Sequence, residues 1–387
     1  MLKVTDSLDI LKGLIQTRCF PAFGGIPAPR VIAYTVTWRC NAGCDMCGVK
    51  NVDKKLKDPG RELTAADIDK IFTDPFLRKP DLIRFTGGEP FLKEDFIGIV
   101  ENIIKNTKTK IYYITTNGFY GDRISELVER LAPKTRNLVI QISLDAIGDA
   151  HDRIRKIPGL YDRVVRALEG LKKLKTKHAF SFGVNQTVTI DTARYIDDIA
   201  ALCERMGCDH KVYMGQDVHE SDILEGDALR PELALVSNPD KKDIELLYEK
   251  IRRHYDKKRQ NVKRSLSLPE YLWRAVEDTV ILGSKNRLLF DRAFPNPRCL
   301  AMFFYLRMLP DGTIMPCTLR PRAIGNLKDN SFTEIWKSKK ANDARMSVKH
   351  CKGCWVECDI VPNIAYSFGT MRKLAGELLM PKKERSV

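Results

Sequence analysis

Short apolar runs alternate with helical patterns between about residue 30 and residue 215. After most of these runs, apolar residues recur at helical spacing, and the first such helix is predicted to begin at a cap formed by Thr64 and Asp67. Because the joints are short, this order predicts parallel strands connected by right-handed helical crossovers, with chemistry at the strand-end loops. The six predicted strands are residues 30–37, 81–86, 110–116, 137–144, 180–189 and 211–215.

The alternation ends after residue 215. Two helices are predicted at residues 241–259 and 268–283, and cysteines cluster between residues 299 and 358. Both ends of the chain carry basic amphipathic patterns, which either pack on the core or lie on an anionic membrane. The predicted divisions are an amphipathic extension (1–29), a barrel core (30–215), a helical linker (216–298), a cysteine-rich domain (299–358) and a C-terminal helix with a basic tail (359–387).

Composition narrows the class of protein. No stretch approaches the roughly 20 consecutive apolar residues of a membrane span, and the N-terminus does not resemble a signal peptide. We therefore expect a cytoplasmic protein, in which the eleven cysteines form metal sites rather than disulfides. The net charge of +15 would favour binding to nucleic acid, to an anionic membrane or to an acidic substrate. The sequence contains no nucleic-acid-binding signature beside this charge.

Three cysteines, Cys40, Cys44 and Cys47, fall within eight residues directly after the first predicted strand. Thiolates are soft ligands that suit zinc, copper(I) or an iron–sulfur cluster. A structural zinc site needs four ligands, whereas the next cysteine in the sequence is Cys203. Three ligands would leave one iron of a cubane open to a small molecule. Spacing alone leaves a catalytic cluster, a zinc site and a chance grouping as alternatives.

The C-x3-C-x2-C spacing after a first strand resembles the radical S-adenosylmethionine (radical SAM) superfamily. Three further motifs follow in the order of that family, each at the end of a predicted strand: "TGGEP" (86–90), "TTNG" (115–118) and "SLD" (143–145), the last with "HDRIRKIPG" behind it. The resemblance covers residues 30–215 and implies a partial (β/α)6 barrel. The chain departs from the family at Met46, where an aromatic residue is usual.

The resemblance also implies a chemistry. Cys40, Cys44 and Cys47 would ligate a [4Fe–4S] cluster whose fourth iron chelates S-adenosylmethionine. An electron from a donor such as ferredoxin or flavodoxin would release a 5′-deoxyadenosyl radical that abstracts hydrogen from an unactivated C–H bond. The family pattern also implies which residues contact S-adenosylmethionine. Gly87 and Gly88 would approach its methionyl group, and Glu89 would bind the ammonium of that group. Ser143 and Asp145 would contact the carboxylate or the ribose of the cofactor.

The second cysteine set lies around "PDGTIMPC…IGNLKDNSFTEIWKS", which resembles the auxiliary-cluster extension of radical SAM enzymes. That extension occurs with two clusters (SPASM) or one (twitch). Five thiolates are too few to ligate two cubanes fully, so a small twitch-like domain with one auxiliary [4Fe–4S] cluster is expected. A structural zinc knuckle is the alternative. The expected ligands are Cys299, Cys317, Cys351 and Cys354, with Cys358 spare or replacing one of them.

The sequence does not identify the substrate. Lipid-linked, peptide and anionic small molecules all fit, and an auxiliary cluster suits oxidation or bond formation. The basic amphipathic ends add a peripheral membrane contact as a hypothesis. A different class of function also accounts for the cysteines and charge, namely a non-enzymatic, zinc-stabilised basic protein that binds nucleic acid. The "GGEP" segment between a strand and a helix favours the enzyme.

Overall fold

The computed structural model describes residues 25–52, 54–216, 235, 239–260, 268–317, 322–351 and 355–367. The predicted N-terminal amphipathic helix and the basic tail lie outside these ranges, as does Cys354. None of the described helices is long and apolar enough to cross a membrane.

The barrel core contains the six strands that the sequence predicts, in a sheet ordered β6-β5-β4-β3-β2-β1 with every neighbouring pair parallel. This confirms the partial barrel. The strands are β1 (Val31–Thr35), β2 (Leu82–Thr86), β3 (Ile111–Thr116), β4 (Leu138–Ser143), β5 (Ser181–Val188) and β6 (Asp209–Met214).

Six helices accompany these strands, and two of them, α4 and α5, lie between β4 and β5. The Thr64–Asp67 capping box is present at the start of α1, because each side chain pairs with the other residue's backbone N–H. The helices are α1 (Ala65–Ile71), α2 (Phe96–Asn106), α3 (Gly121–Leu131), α4 (Asp149–Arg155), α5 (Leu160–Lys175) and α6 (Ile196–Met206).

The two faces of the sheet differ in character. Ile83, Ile114, Ile140 and Val184 are fully buried on the face that packs against the helices, in one continuous apolar core. Side chains on a strand alternate, so the intervening residues form the opposite face, called the inner face below. That face is largely polar, and its residues include Thr35, Arg84, Tyr113, Thr115, Gln141, Asn185, Lys211 and Tyr213.

The C-terminal region extends this same sheet instead of forming one of its own. Strand β7 (Tyr305–Met308) pairs parallel with β1, and β8 (Thr313–Met315) and β9 (Gly325–Asn326) follow antiparallel. The β7–β8 turn is the "PDG" segment, in which Gly312 adopts a φ of +87°. Helices α9 (Phe332–Lys337), α10 (Lys339–Lys349) and α11 (Glu357–Ala365) complete the region.

Both helices predicted between the barrel and the second cysteine set are present. They are α7 (Lys241–Gln260) and α8 (Leu268–Phe290), the second of which continues beyond the predicted end at residue 283. Helix α8 packs on the C-terminal region through the buried Trp355, whose indole N–H donates to Ser284 Oγ at 2.9 Å. The described part of the linker is therefore attached to the C-terminal region.

Candidate active site

The cysteine loop and the "TGGEP" segment run side by side beyond the ends of β1 and β2. The amide of Gly88 donates to the carbonyl of Thr37 at 2.7 Å, and the amide of Glu89 donates to the carbonyl of Arg39 at 2.8 Å. The parallel pairing of the two strands thus continues up to the residue before Cys40. Two motifs that are far apart in sequence meet at one rim of the barrel.

Two glycines permit this close approach. A Cβ added to Gly87 would lie 2.4 Å from Thr37 O, and one added to Gly88 would lie 1.9 Å from Arg39 O. Gly87 also has a φ of +142°, which disfavours any side chain. The resemblance to radical SAM enzymes implies that these glycines contact the cofactor. The structure gives them an additional task, which is to let the backbone carrying Cys40 lie against β2.

We expect Gly88→Ala to disturb the cysteine loop, because the new methyl group would collide with the Arg39 backbone. The expected result is loss of a large part of the iron held by that loop, read as iron per chain after anaerobic purification. Gly43→Ala is the matched control in the same loop, since its Cβ would meet only the Lys156 side chain at 3.5 Å. Equal iron content in the two variants would contradict the packing role of Gly88.

The three thiols of the loop sit in different surroundings. Cys40 is exposed, Cys44 is buried and Cys47 is half-buried. Although part of Cys40 is exposed, the protein around its sulfur displaces much of the water, and this is the main cause that raises the pKa of Cys40 to about 12; Glu89 and the other two thiols add to the shift. Burial likewise raises the pKa of Cys44, against the opposing charge of Arg155. These thiols would lose their protons on binding a cation, as metal-ligating cysteines do.

Glu89 is almost completely buried, with 1% of its surface exposed. Its Oε1 accepts from the Thr116 hydroxyl at 2.7 Å and the Phe91 amide at 3.2 Å, and its Oε2 accepts from the Asn117 amide at 2.7 Å. Burial raises its pKa to about 7, and these hydrogen bonds oppose the shift. The carboxylate therefore joins the ends of β2 and β3. Its contact with a cofactor ammonium remains a prediction.

The "TTNG" motif is connected to the cysteine loop as well. The side-chain amide of Asn117 donates to Asn41 Oδ1 at 2.8 Å, while its own Oδ1 accepts from the Phe119 amide. An Asn-Gly pair after a strand is a turn signal, but nothing in the sequence predicted the contact with Asn41. Asn117 both forms the turn and ties β3 to the loop between Cys40 and Cys44.

Asp145 of the "SLD" motif is fully buried and paired with Arg155 of the following "HDRIR" segment. Its Oδ2 accepts from Arg155 Nε at 2.7 Å, and its Oδ1 accepts from the Thr187 amide at 2.9 Å. Arg155 in turn lies beside the Cys44 thiol, and its carbonyl accepts from the Gly43 amide at 3.2 Å. Arg155 was not predicted as a site residue, although it lies in the "HDRIRKIPG" segment behind the "SLD" motif. The predicted contact of Asp145 with the cofactor is untested.

Two other residues of these motifs, the predicted cofactor contact Ser143 and His151 of the "HDRIR" segment, accompany this pair. Ser143 ends β4 on the inner face and is half-buried. His151 is buried, and its Nδ1 accepts from the Asp145 amide at 3.2 Å. Burial lowers the pKa of His151 to about 4, which favours the neutral ring. These contacts indicate a structural role for His151.

The second cysteine set gathers at the end of the barrel where β7 joins β1. Cys299 and Cys317 pack against a cluster that contains Val31 and Ala33 of β1. Burial raises the pKa of Cys299 to about 11, with contributions from the nearby Asp359 and Cys351. Cys299, Cys317 and Cys351 therefore lie in one region. Cys354 and the side chain of Cys358 fall outside the described part.

Within the described ranges, no three histidine, cysteine or acidic side chains converge on a position for a single metal ion. The strand-end loops nevertheless define a class of protein: a partial parallel α/β barrel with a three-cysteine loop, a glycine-rich second strand end and a cysteine-rich C-terminal extension of the sheet.

Comparison with known proteins identifies the family. Residues 34–203 match the radical SAM superfamily, and residues 299–355 match the iron–sulfur cluster-binding domain called SPASM. The chain belongs to the radical SAM superfamily and carries a SPASM domain at its C-terminus. It is an enzyme whose cofactors are S-adenosylmethionine, a [4Fe–4S] cluster and an auxiliary iron–sulfur cluster. The expected family and fold class are confirmed, as are S-adenosylmethionine, its [4Fe–4S] cluster and the presence of an auxiliary iron–sulfur cluster. That the C-terminal extension is of the smaller kind, with a single cluster, remains a prediction.

Among similar proteins, the "AdoMet-dependent heme synthase" of Oleidesulfovibrio alaskensis is 25% identical over 332 residues, covering 82% of this chain and 76% of that protein. The enzyme of the same name from Methanosarcina barkeri is 26% identical, with coverage of 80% and 83%. Streptococcus suis SuiB bound to its precursor peptide SuiA superposes with a TM-score of 0.58 at 15% identity, covering 92% of this chain and 77% of SuiB. This last similarity shows the fold alone.

Proposed function

We propose that Cys40, Cys44 and Cys47 ligate the [4Fe–4S] cluster that binds S-adenosylmethionine. The observation that carries this proposal is the pairing of the cysteine loop with the Gly87–Gly88 segment, where the backbones touch too closely for any other residue. The three thiols occupy one loop at the open rim, and a half-buried cation, Arg155, lies beside Cys44. The donor set of three thiolates suits an iron–sulfur cluster.

When bound, the cluster and S-adenosylmethionine supply a 5′-deoxyadenosyl radical that abstracts hydrogen from an unactivated C–H bond of the substrate. The protein would position the cluster, S-adenosylmethionine and the substrate relative to one another and exclude water from them. Glu89, Asn117 and Asp145 hold the ends of β2, β3 and β4 in fixed relation to the cysteine loop. The main-chain groups of Gly87 and Gly88 and the side chain of Ser143 are proposed to contact the cofactor.

For the auxiliary cluster we propose one cubane held by Cys299, Cys317, Cys351 and Cys354, with Cys358 as the spare thiol. Support comes from the common location of the three described cysteines beside the inner face of β1. There the cluster would supply an electron sink or a ligand for the substrate, which suits net oxidation or bond formation.

The relatives point to two kinds of substrate. Heme synthases are named among those with the broadest coverage, whereas SuiB is bound to a precursor peptide. We propose that the substrate is a small anionic molecule rather than a peptide, because the sequence similarity to the heme synthases extends over four fifths of the chain. A peptide or lipid-linked substrate, the electron donor and contact with a membrane remain hypotheses from the sequence.

The test of the proposed function uses the whole protein purified without oxygen. We expect about eight irons per chain with matching acid-labile sulfide, and release of 5′-deoxyadenosine when S-adenosylmethionine and dithionite are added. A colourless protein that holds zinc and leaves S-adenosylmethionine intact would instead fit the alternative of a zinc-stabilised nucleic-acid-binding protein. Family membership already favours the enzyme.

A further inference from the structure

Helix α8 ends in a group of large apolar side chains that face solvent. Within the described ranges six large apolar side chains are exposed, and three of them lie between residues 282 and 294. Leu282 is 41%, Phe290 is 50% and Phe294 is 69% exposed. Single exposed apolar residues are ordinary on a protein surface, whereas a group of them marks an interaction site. These three residues are called the α8-end patch below.

The backbone brings the three residues of the patch together. Leu282, Asn286 and Phe290 are spaced four residues apart, so they lie along one stripe of the helix. The helix ends at Phe290, and the chain then returns to this stripe. There the Asn286 side-chain amide donates to the Phe294 carbonyl at 2.6 Å, and the Asn286 carbonyl accepts from the Arg292 amide at 2.9 Å. The three apolar residues therefore lie on one side of the helix end.

The apolar core beneath the patch is complete without these side chains. Leu288 and Leu289, on the same last turns of α8, pack into the buried cluster between β6 and α7. Phe290 and Phe294 belong to none of the buried clusters of the described chain. Replacing either ring is therefore expected to leave the fold intact.

Basic side chains flank the exposed rings. Arg292 Cζ lies 5.9 Å and Lys285 Nζ lies 6.0 Å from the centre of the Phe290 ring. In the sequence, residues 284–298 contain four basic residues and one carboxylate, Asp291. The patch is therefore apolar at its centre, and basic residues outnumber acidic ones in the stretch of chain that carries it.

An anionic lipid bilayer matches this arrangement. Aromatic rings at a bilayer surface leave water for the acyl chains, while basic side chains on long stems reach the lipid phosphates. The chain as a whole carries a net charge of +15, which adds a long-range attraction toward an anionic surface. A bilayer accounts for the apolar centre and the basic surroundings with one partner, and it requires no matching pocket.

We propose that the α8-end patch binds the surface of an anionic phospholipid bilayer. Phe290 and Phe294 insert among the acyl chains, and Lys285 and Arg292 contact lipid phosphates. This contact surface belongs to the linker helices and is distinct from the amphipathic ends of the chain that the sequence offered for a membrane contact. It goes beyond the proposed function, because it concerns where the enzyme is held and not the reaction at the barrel rim.

The test is co-flotation of the whole holoenzyme, without oxygen, with vesicles of phosphatidylcholine alone or mixed with phosphatidylglycerol. We expect binding to the mixed vesicles, and we expect Phe290→Ser and Phe294→Ser each to weaken it about tenfold, because a ring loses its burial in lipid. The double variant Lys285→Gln with Arg292→Gln is expected to weaken it about tenfold or more. Met346→Ser is the matched control with wild-type binding, since Met346 is 53% exposed on α10, a helix that also carries lysines.

Insertion itself is measured with Phe294→Trp, whose added fluorescence is expected to be quenched by brominated lipids in the mixed vesicles, whereas that of Met346→Trp is not. The proposal is overturned if the phenylalanine variants bind vesicles as the wild type does, or if Phe294→Trp adds no quenching. Self-association that Phe290→Ser abolishes, without binding to vesicles, would assign the patch to a second copy of the chain and would also overturn it. Iron content and formation of 5′-deoxyadenosine are expected to be unchanged in every variant, so failure of the proposed function is a separate observation.

Discussion

Replacing Cys40, Cys44 and Cys47 together with alanine is expected to reduce the iron content from about eight to about four per chain and to abolish formation of 5′-deoxyadenosine. The reason is that this loop is proposed to hold the cluster that binds S-adenosylmethionine, while the second cysteine set lies on the C-terminal extension of the sheet. Iron analysis and chromatography of the nucleoside products measure the two effects independently.

The matched control is Cys208→Ala. Cys208 lies between α6 and β6, has no proposed ligand role, and is half-buried as Cys47 is. The control is expected to keep all the iron and the wild-type cleavage rate. If the triple variant still produced 5′-deoxyadenosine, the assignment of the N-terminal cluster would be wrong.

Removing the auxiliary cluster is expected to separate cofactor cleavage from product formation. Cys317→Ala, or the double variant Cys351→Ala with Cys354→Ala, should retain about four irons and still release 5′-deoxyadenosine with a strong reductant. With the substrate, deuterium from the attacked C–H bond is expected in 5′-deoxyadenosine, while the final product is lost. The reason is that cleavage needs only the N-terminal site, whereas the substrate radical arises later.

Metal ligation contributes to folding, so the comparison uses only variants whose remaining cluster is intact by electron paramagnetic resonance. Full product formation by a well-folded variant that has only the N-terminal cluster would contradict a chemical role for the second one. The auxiliary metal would then be a structural support for the C-terminal region.

The sequence predicted the barrel well because its signals are local. Each strand is a short apolar run, each helix has its own periodicity, and the cap at Thr64 forms from residues three apart. The motifs lie at strand ends for the same reason. Parallel strands bring those ends to one rim, so the order of motifs in the sequence is enough to predict that they meet.

The contacts within the site were less predictable. The spacing of the motifs does not show that the two carboxylate oxygens of Glu89 accept hydrogen bonds from the end of β3 and from the turn after it. Nor does it show that Arg155 connects Asp145 to the cysteine loop. These pairings join residues on different strand-end loops. They depend on how the loops fold over one rim, which a single sequence without a pattern of co-variation does not reveal.

The sequence by itself determined the family, the barrel and the two cysteine sets, because these follow from local periodicity and motif order. Only the tertiary structure decided that β7 pairs with β1, so that the C-terminal region continues the barrel sheet. It also decided that Arg84, Lys211 and Arg307 share one face, since strand register brings together residues that lie far apart along the chain. Which side chains share that face is therefore a property of register, which local sequence patterns do not specify.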